Sequence, residues 1–390
     1  MPSDNSLLSA LSSKEFERIL LIKPSAVGDV IHTLPVLVKL RARYPAARID
    51  WLLTPSIADL VGHHPALSNV VLFARNEFTR VWRSRSASAS LFRLFKTIRQ
   101  TRYDLVIDLH GQFRSALFTL ASGAGTRIGF DRPKIDPRKG RDLHLAKEAY
   151  RHGWRGTREG AWVTYSHRIP IPTLDVHAAN RYLWLGPLLG LDTAPPDFSL
   201  PVPSEAMARI DGLLQDHGLL GSSYAVLAPG TMWETKHWRP EGFAQVGRHL
   251  SRNRQRVVLA GSAKERERCQ AVAAACPGAC DLSGQTTLSE LAALLQRAAI
   301  CVTNDSGSMH LAVALGRPVV SIFGPTDPLC VGPYGRPEAV VRTHIPCSPC
   351  YLRKLRSCPY EHACMNEVSA EMVIERIEAV LAVSSPRVAG

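Results

Sequence analysis

Asp305-Ser306-Gly307-Ser308, with His310 close behind, stands between the apolar run ICVTN and a helical stretch, SMHLAVALG. The first backbone N–H groups of such a helix have no partner within it, and together with the helix dipole they favour an anion. Gly307 would admit a close approach, Ser306 and Ser308 add hydroxyl donors, and Asp305 can accept from a sugar hydroxyl. N-capping by Asp305 or Ser306 is the plainer account of one such residue. It leaves His310 and the following turn, GPTDP at 324–328, unexplained.

A second candidate is APGTMWETKHWRP, 228–240, which also follows a strand-like run and leads into a helix. Lys236 can reach a pyrophosphate from this loop and neutralise charge on a departing nucleoside diphosphate. Thr231 and Thr235 offer hydroxyls beside it. A loop lysine on its own is more often solvated, so it gains meaning only in combination.

The third is KPSAVGDVIHTLP, 23–35, where Lys23 ends a strand, Gly28 turns the chain and Asp29 begins a helix. An anion at that helix start would be repelled by Asp29. A neutral hydroxyl would not, and a carboxylate there can take its proton as a general base. N-capping of a helix over 30–44 is an equal reading of the same residue.

These residues need a scaffold that presents strand-to-helix turns. RILLIK, ARIDWLL, NVVLFA and YDLVIDL read as strands between 18 and 109, with VIHTLPVLVKLRARY and SLFRLFKTIRQ as helices. The pattern lapses over 131–176 and a helix is expected over 177–191. Alternation then restarts at YAVLAPG and runs through QRVVLAGS, CDLSG, ICVTND and PVVSIFGPT, and VSAEMVIERIEAVLAV closes the chain as a helix. Alternation of this kind predicts parallel sheets with helical crossovers. The predicted divisions are a lead-in at 1–17, an α/β domain at 18–191, a proline-rich linker at 192–203, a second α/β domain at 204–345, a Cys-rich segment at 346–366 and a C-terminal helix and tail at 367–390. Doubly wound domains bind ligands outside the carboxyl ends of their strands, where all three candidates lie.

With 45% hydrophobic and 21% charged residues, the composition is that of a soluble globular protein, and no apolar run approaches the ~18 residues that a membrane span requires. The first residues show no basic start with a long apolar core, so no secretory signal is expected. Residues 1–200 hold 28 Lys and Arg against 17 Asp and Glu, net +11, and residues 201–390 hold 19 against 17, net +2. A basic first half implies an anionic partner or a solubility role. Nucleic acid is disfavoured because no recognition-helix cluster, RNA-binding motif or zinc-finger pattern is present. A dinucleotide dehydrogenase is disfavoured because no strand leads into G-x-G-x-x-G.

Taken together, SAVGDVIHTLPVL, GTMWETKHW, TNDSGSMHLAVALGRPVVSIFGPTDP and the Cys-rich segment closely resemble family 9 of the glycosyltransferases, the bacterial ADP-heptose:lipopolysaccharide heptosyltransferases, over residues 18–382. The resemblance implies the glycosyltransferase B fold, two Rossmann-like doubly wound domains facing across a cleft, acceptor on the first and nucleotide sugar on the second. It implies an inverting transfer without a metal, with Asp29 as base and Lys236 on the donor phosphates. Asp305, Ser306, Gly307, Ser308 and His310 match the donor-binding turn, Thr231 lies beside it, and Glu265 in AGSAKERE matches the acidic residue that holds the donor ribose. The implied donor is ADP-heptose, and another nucleotide sugar for a different surface glycan is the alternative. The implied acceptor is the inner core of lipopolysaccharide, Kdo or heptose, at the cytoplasmic face of the inner membrane, with the protein peripheral to it.

An acceptor carrying carboxylates and phosphates would explain the basic half. Gly28 borders the acceptor turn, and the candidate arginines are Arg114 and one or two of Arg80, Arg83, Arg85 and Arg93, because the guanidinium fork binds such anions through two hydrogen bonds. Arg127, Lys134, Arg138 and Lys139 add charge in the loops. Phe78, Trp82, Phe92 and Phe95, interleaved with these bases, suit either a membrane surface or the core. Cys347, Cys350, Cys358 and Cys364 follow a C-x2-C-x7-C-x5-C spacing, which allows a structural zinc site. Free or packed thiols are the default for the nine cysteines of a chain without an export signal.

Overall fold

Apolar β-branched runs flanked by small residues form two separate parallel sheets. The computed structural model describes residues 11–81, 83–132, 154 and 156–384. Two compact units divide the chain, one ending at Pro201 and the other resuming at Val202.

The first unit holds β1 (Arg18–Ile22), β2 (Arg48–Leu53), β3 (Asn69–Leu72), β4 (Leu105–Asp108), β5 (Thr126–Phe130) and β6 (His167–Ile169), in the order β3-β2-β1-β4-β5-β6. All its pairs are parallel. Its principal helices are α1 (Val27–Ile31), α2 (Leu34–Arg43), α3 (Arg85–Gln100), α4 (Phe113–Ser122) and α5 (Ala178–Tyr182). The helix expected over 30–44 is two helices. Pro35 lacks the N–H that would bond the Ile31 carbonyl, so the chain breaks at His32–Thr33 and α2 starts again with proline in its first turn. Pro187 divides 177–191 in the same way, leaving α5, a 3-10 turn at Leu183–Leu185 and a short helix at Gly186–Leu189.

The second unit holds β7 (Tyr224–Ala228), β8 (Arg256–Leu259), β9 (Cys280–Asp281), β10 (Ile300–Asn304), β11 (Val319–Ile322) and β12 (Val340–Val341), in the order β12-β11-β10-β7-β8-β9. These pairs are parallel too. Counted within the unit, the order is again 3-2-1-4-5-6, the doubly wound arrangement. Its site is positioned by α6 (Pro240–Arg252), α7 (Gly307–Ala314) and α8 (Ala370–Ser384). β7 and β10 are buried at every residue, as strands covered on both faces must be.

In each sheet the chain reverses direction of winding between its first and fourth strands, β1 with β4 and β7 with β10. Ligands enter at such switch points, and the turns that follow these four strands carry Asp29, His110, Lys236 and Asp305.

Two expectations about loose segments resolve differently. The proline-rich stretch at 192–203 is fastened to the first unit: Lys39 pairs with Asp192 and donates to the Ala194 carbonyl at 2.8 Å, and His64 Nε2 lies 3.1 Å from the Ser199 carbonyl. Phe78 and Phe95 pack edge-on or tilted against Phe118 in the core, whereas Phe92 is 69% exposed. Trp82, Lys134, Arg138 and Lys139, most of the lead-in and the last residues of the tail lie outside the described residues.

Candidate functional site

Asp29 is the third residue of α1, whose N-cap is Ala26 and whose second residue is Gly28. Behind the carboxylate lies Lys23, whose Nζ is 3.4 Å from Asp29 Oδ2; the lysine side chain is 6% exposed and the aspartate 43%. The Tyr182 hydroxyl, from α5, donates to Asp29 Oδ1 at 3.0 Å, and Lys23 Nζ also lies 5.1 Å from the centre of the Tyr182 ring. Burial acts to raise the carboxyl pKa, but Lys23, chiefly, and the Tyr182 hydroxyl outweigh it and hold the group below the usual carboxylate range. Asp29 is therefore not the N-cap that the sequence left open: Ala26 holds that position, no side-chain cap bond is made, and the carboxylate stands half-exposed and ionised.

Across the switch point, β4 ends in Asp108, which accepts N–H bonds from His110 and Gly111 at 2.9 and 3.0 Å and the Tyr165 hydroxyl at 2.8 Å. This turn fixes His110. Burial and Lys23 push the imidazole down to about 3, so it is neutral, and its buried Nδ1 has no hydrogen-bond partner among the described residues. His110 lines a pocket of about 460 Å³, open mouth included, together with Ser25, Thr54, Arg75, Gln112 and Arg114. Arg114 lies over the Phe78 ring at 5.8 Å, and burial followed by the Arg75 charge lowers its pKa.

Of the basic candidates, then, Arg114 reaches the pocket. Arg80, Arg83 and Arg93 are exposed and do not line it, and Arg85 is exposed as well. The reason for Arg93 is helical phase: α3 turns Ala87 and Ile98 inward, with Leu91, Leu94 and Phe95 against the core, and Arg93 falls on the opposite face. Arg127 is tied down by the Thr164 carbonyl at 2.7 Å and the Ala124 carbonyl at 2.6 Å. Arg75, His110, Gln112 and Tyr182 were not singled out from sequence. For His110 and Gln112 the signal was available, since both follow the strand beside β1; Tyr182 is distant in sequence and carries none.

In the second unit Lys236 closes a 3-10 turn at Glu234–Lys236. Its Nζ is 2.6 Å from Asp305 Oδ2, with side chains 13% and 5% exposed, and 4.3 Å from the centre of the Trp233 ring. Asp305 Oδ2 also accepts from Thr326 Oγ1 at 2.5 Å, which draws the GPTDP turn into the cluster. Asn304, buried at the end of β10, binds both sides of the Lys236 loop: its Nδ2 donates to the Pro229 carbonyl at 2.8 Å and its Oδ1 accepts the Trp238 N–H at 3.1 Å. Thr231 Oγ1 donates to the Asp305 carbonyl at 3.0 Å. Thr235 was expected to offer a hydroxyl beside Lys236. It is 2% exposed and donates to the Leu352 carbonyl at 2.6 Å instead.

Ser306 is the N-cap of α7 and makes no side-chain cap; its Oγ pairs with Thr303 Oγ1 at 2.8 Å. Gly307 and Ser308 open the helix half-buried, and His310 is 7% exposed in its first turn. Glu265 folds back so that Oε2 accepts the Ser262 N–H at 2.7 Å and hydroxyl at 2.8 Å. Its carboxyl lies against Gly230: a Cβ there would come within 2.2 Å of Glu265 Cδ. The glycine therefore makes room for the acid beside the β7 turn.

The four clustered cysteines lie within one folded segment, Cys350 packing with Cys347 and Cys358. Burial and then the neighbouring cysteines push Cys350 up to about 11 and Cys364 up to about 12, so both are thiols at neutral pH. Among the described residues no group of three or more His, Cys, Asp or Glu is arranged to hold a metal ion. The residues as they stand do not form the structural zinc site that the spacing allows.

Two doubly wound sheets, with polar turns gathered at each switch point, are the architecture of glycosyltransferases of the B fold. The family model of glycosyltransferase family 9 (heptosyltransferase) matches residues 91–136 and 143–361, and the chain belongs to this family. It is 31% identical over 386 residues to lipopolysaccharide heptosyltransferase 1 of Pseudomonas aeruginosa, covering 93% of this chain and 98% of that one. It is 27% identical over 331 residues to lipopolysaccharide heptosyltransferase 1 of Escherichia coli K12, covering 83% and 93%. Among solved structures, the E. coli heptosyltransferase WaaC with ADP-2-deoxy-2-fluoro heptose superposes with a TM-score of 0.66 at 25% identity, over 93% of this chain and 99% of that one. The protein is a glycosyltransferase.

Proposed function

We propose that the protein moves heptose from ADP-heptose to the inner core of lipopolysaccharide, Kdo or heptose, with inversion at the anomeric carbon. Asp29 takes the proton of the acceptor hydroxyl as its oxygen bonds to C1 of the sugar. The bond from C1 to the β-phosphate oxygen breaks on the opposite face, and its electron pair leaves with ADP. Lys236 and the N–H groups that begin α7 stabilise that charge, Ser306, Ser308 and His310 line the donor turn, and Glu265 accepts from the ribose. The charge on the leaving group is met by lysine and backbone, so the reading requires no metal.

The observation that carries this reading is the half-exposed, ionised carboxylate of Asp29 at the first switch point, in a chain of this family. A base already ionised at working pH can take the acceptor's proton without first losing one of its own. The pocket with Arg75 and Arg114 beside it supports an acceptor bearing carboxylate or phosphate. In keeping with that acceptor, we place the protein at the cytoplasmic face of the inner membrane, bound peripherally; among the described residues no helix is long and apolar enough to cross a membrane. Nucleic acid is not a partner in this scheme. The proposed domain roles are acceptor binding over 18–191 and donor binding over 204–345, joined by 192–203.

The test is ADP release from ADP-heptose with a truncated core acceptor, without added metal and again with a chelator, for the native protein, Asp29→Ala and Asp29→Asn. Loss of turnover in both variants with ADP binding retained is expected. Undiminished turnover in Asp29→Ala removes the base, and thermal stabilisation by another nucleotide sugar but not ADP-heptose removes the donor.

A further inference from the structure

The Cys-rich segment has no part in the proposed chemistry, yet it is bonded to both turns that carry the donor site of the second unit. On one side, the Cys350 and Tyr351 N–H groups donate to the Pro325 carbonyl at 3.1 and 2.8 Å, and Ser348 Oγ donates to the Gly324 carbonyl. The packing is close: a Cβ on Gly324 would fall 2.9 Å from Cys364 Sγ and 2.5 Å from Met365 Sδ. This is the turn whose Thr326 holds Asp305.

On the other side it grips the three residues before Lys236. Thr235 Oγ1 donates to the Leu352 carbonyl at 2.6 Å, and His362 Nε2 lies 2.7 Å from the Thr235 carbonyl. A carbonyl only accepts, so Nε2 carries the proton. The Leu355 N–H donates to Glu234 Oε2 at 3.1 Å, and the Arg353 guanidinium lies 4.7 Å from the centre of the Trp233 ring, the same ring that Lys236 Nζ approaches. Glu234–Lys236 is a single 3-10 turn, too short to hold itself. Its geometry is set from outside.

We propose that residues 347–364 act as a strap that positions Lys236 for the leaving diphosphate, with His362 and Thr235 as the positioning residues. The inference rests on the role given to Lys236 above. His362 adopts a left-handed conformation at φ 60°, which a non-glycine residue holds only where its surroundings demand it. His362 is the N-cap of the short helix Ala363–Asn366, and from that position its ring meets the Thr235 carbonyl. If the strap slackens, the ammonium loses its alignment with the departing phosphate while the acceptor turn in the first unit is untouched.

The test is a double-mutant cycle on the full chain. His362→Leu removes the donor, His362→Gln keeps a nitrogen donor at the same reach, and Thr235→Val removes one hydroxyl at nearly constant volume. Each is made with Lys236 present and with Lys236→Ala, and turnover and ADP affinity by calorimetry are read for all. We expect His362→Leu and Thr235→Val to lower kcat by about tenfold, since small misplacements of catalytic groups cost up to about a hundredfold. Acceptor KM should stay unchanged, His362→Gln should recover most of the loss, and neither change should matter further in Lys236→Ala. Equal losses in both backgrounds, or full kcat in Thr235→Val and His362→Leu, overturn the strap. If the native protein transfers no heptose, the function proposed above fails by itself; ADP affinity then decides the strap, which predicts weaker binding only where Lys236 is present.

Discussion

Replacing Lys23 with Met removes an ammonium 3.4 Å from Asp29 Oδ2 while keeping the buried aliphatic stem. At that distance two unit charges attract by about 5 kcal/mol at an effective dielectric near 20 and by about 1 kcal/mol in water. Lys23 is buried but the Asp29 side chain is 43% exposed, so solvent screens the pair and about 2 kcal/mol is the reasonable figure. That is roughly a thirtyfold change in the carboxylate's proton affinity. The native carboxyl titrates below its ordinary value, so kcat/KM for the acceptor should show no acid limb from Asp29 above about pH 5. In Lys23→Met the largest of the effects that offset burial is gone, and the limb should move to higher pH. The sign is fixed: a base whose pKa rises loses activity as pH falls through the new value, and retains it on the alkaline side. The assay is ADP release between about pH 4.5 and 8.5 at subsaturating acceptor, with native and variant compared. A variant profile as flat as the native one at low pH would refute the electrostatic account of Asp29. A uniform loss across all pH values would equally refute it, by showing that Lys23 acts elsewhere.

Two further outcomes follow from contacts in the second unit. Gly230→Ala places a methyl group within 2.2 Å of Glu265 Cδ and Oε1; the acid, a flexible side chain, should swing away, leaving the melting midpoint nearly unchanged and raising donor KM by about tenfold, the loss of one charged hydrogen bond. Asp305→Asn leaves Lys236 buried without its counter-ion and should lower stability by about 3 kcal/mol, read as a clear drop in melting midpoint, because an unpaired buried charge is costly; an unchanged midpoint would show that the ammonium finds solvent.

The alternation of strands and helices was legible because the central strands, RILLI, LVID, YAVLA and ICVTN, are runs dominated by apolar residues, each followed by a turn. Asp29, Lys236 and the 305–310 turn were legible for a related reason, since each stands one short turn beyond such a strand. Helix continuity was misread where proline sits inside an apolar stretch, at Pro35 and Pro187, because hydrophobic period runs on across a missing N–H. The basic residues were the least legible. Charge count along 80–93 looks uniform in the sequence, but helical phase turns Arg93 outward, and Arg75, before the helix, lines the pocket.

By itself the sequence determined that there would be two doubly wound sheets, which polar residues would stand at the turns beyond their central strands, and the family to which the chain belongs, since these depend on local pattern and on motifs read in order. Only tertiary structure decided that Asp29 is ionised, because that rests on Lys23 behind it and on Tyr182, 153 residues away. It also decided that Thr235 faces inward to Leu352, 117 residues on, and that the cysteine-rich segment grips the turn of Lys236. Hydrogen bonds and charge pairs of that span are set by packing, and no local pattern of residue types encodes them.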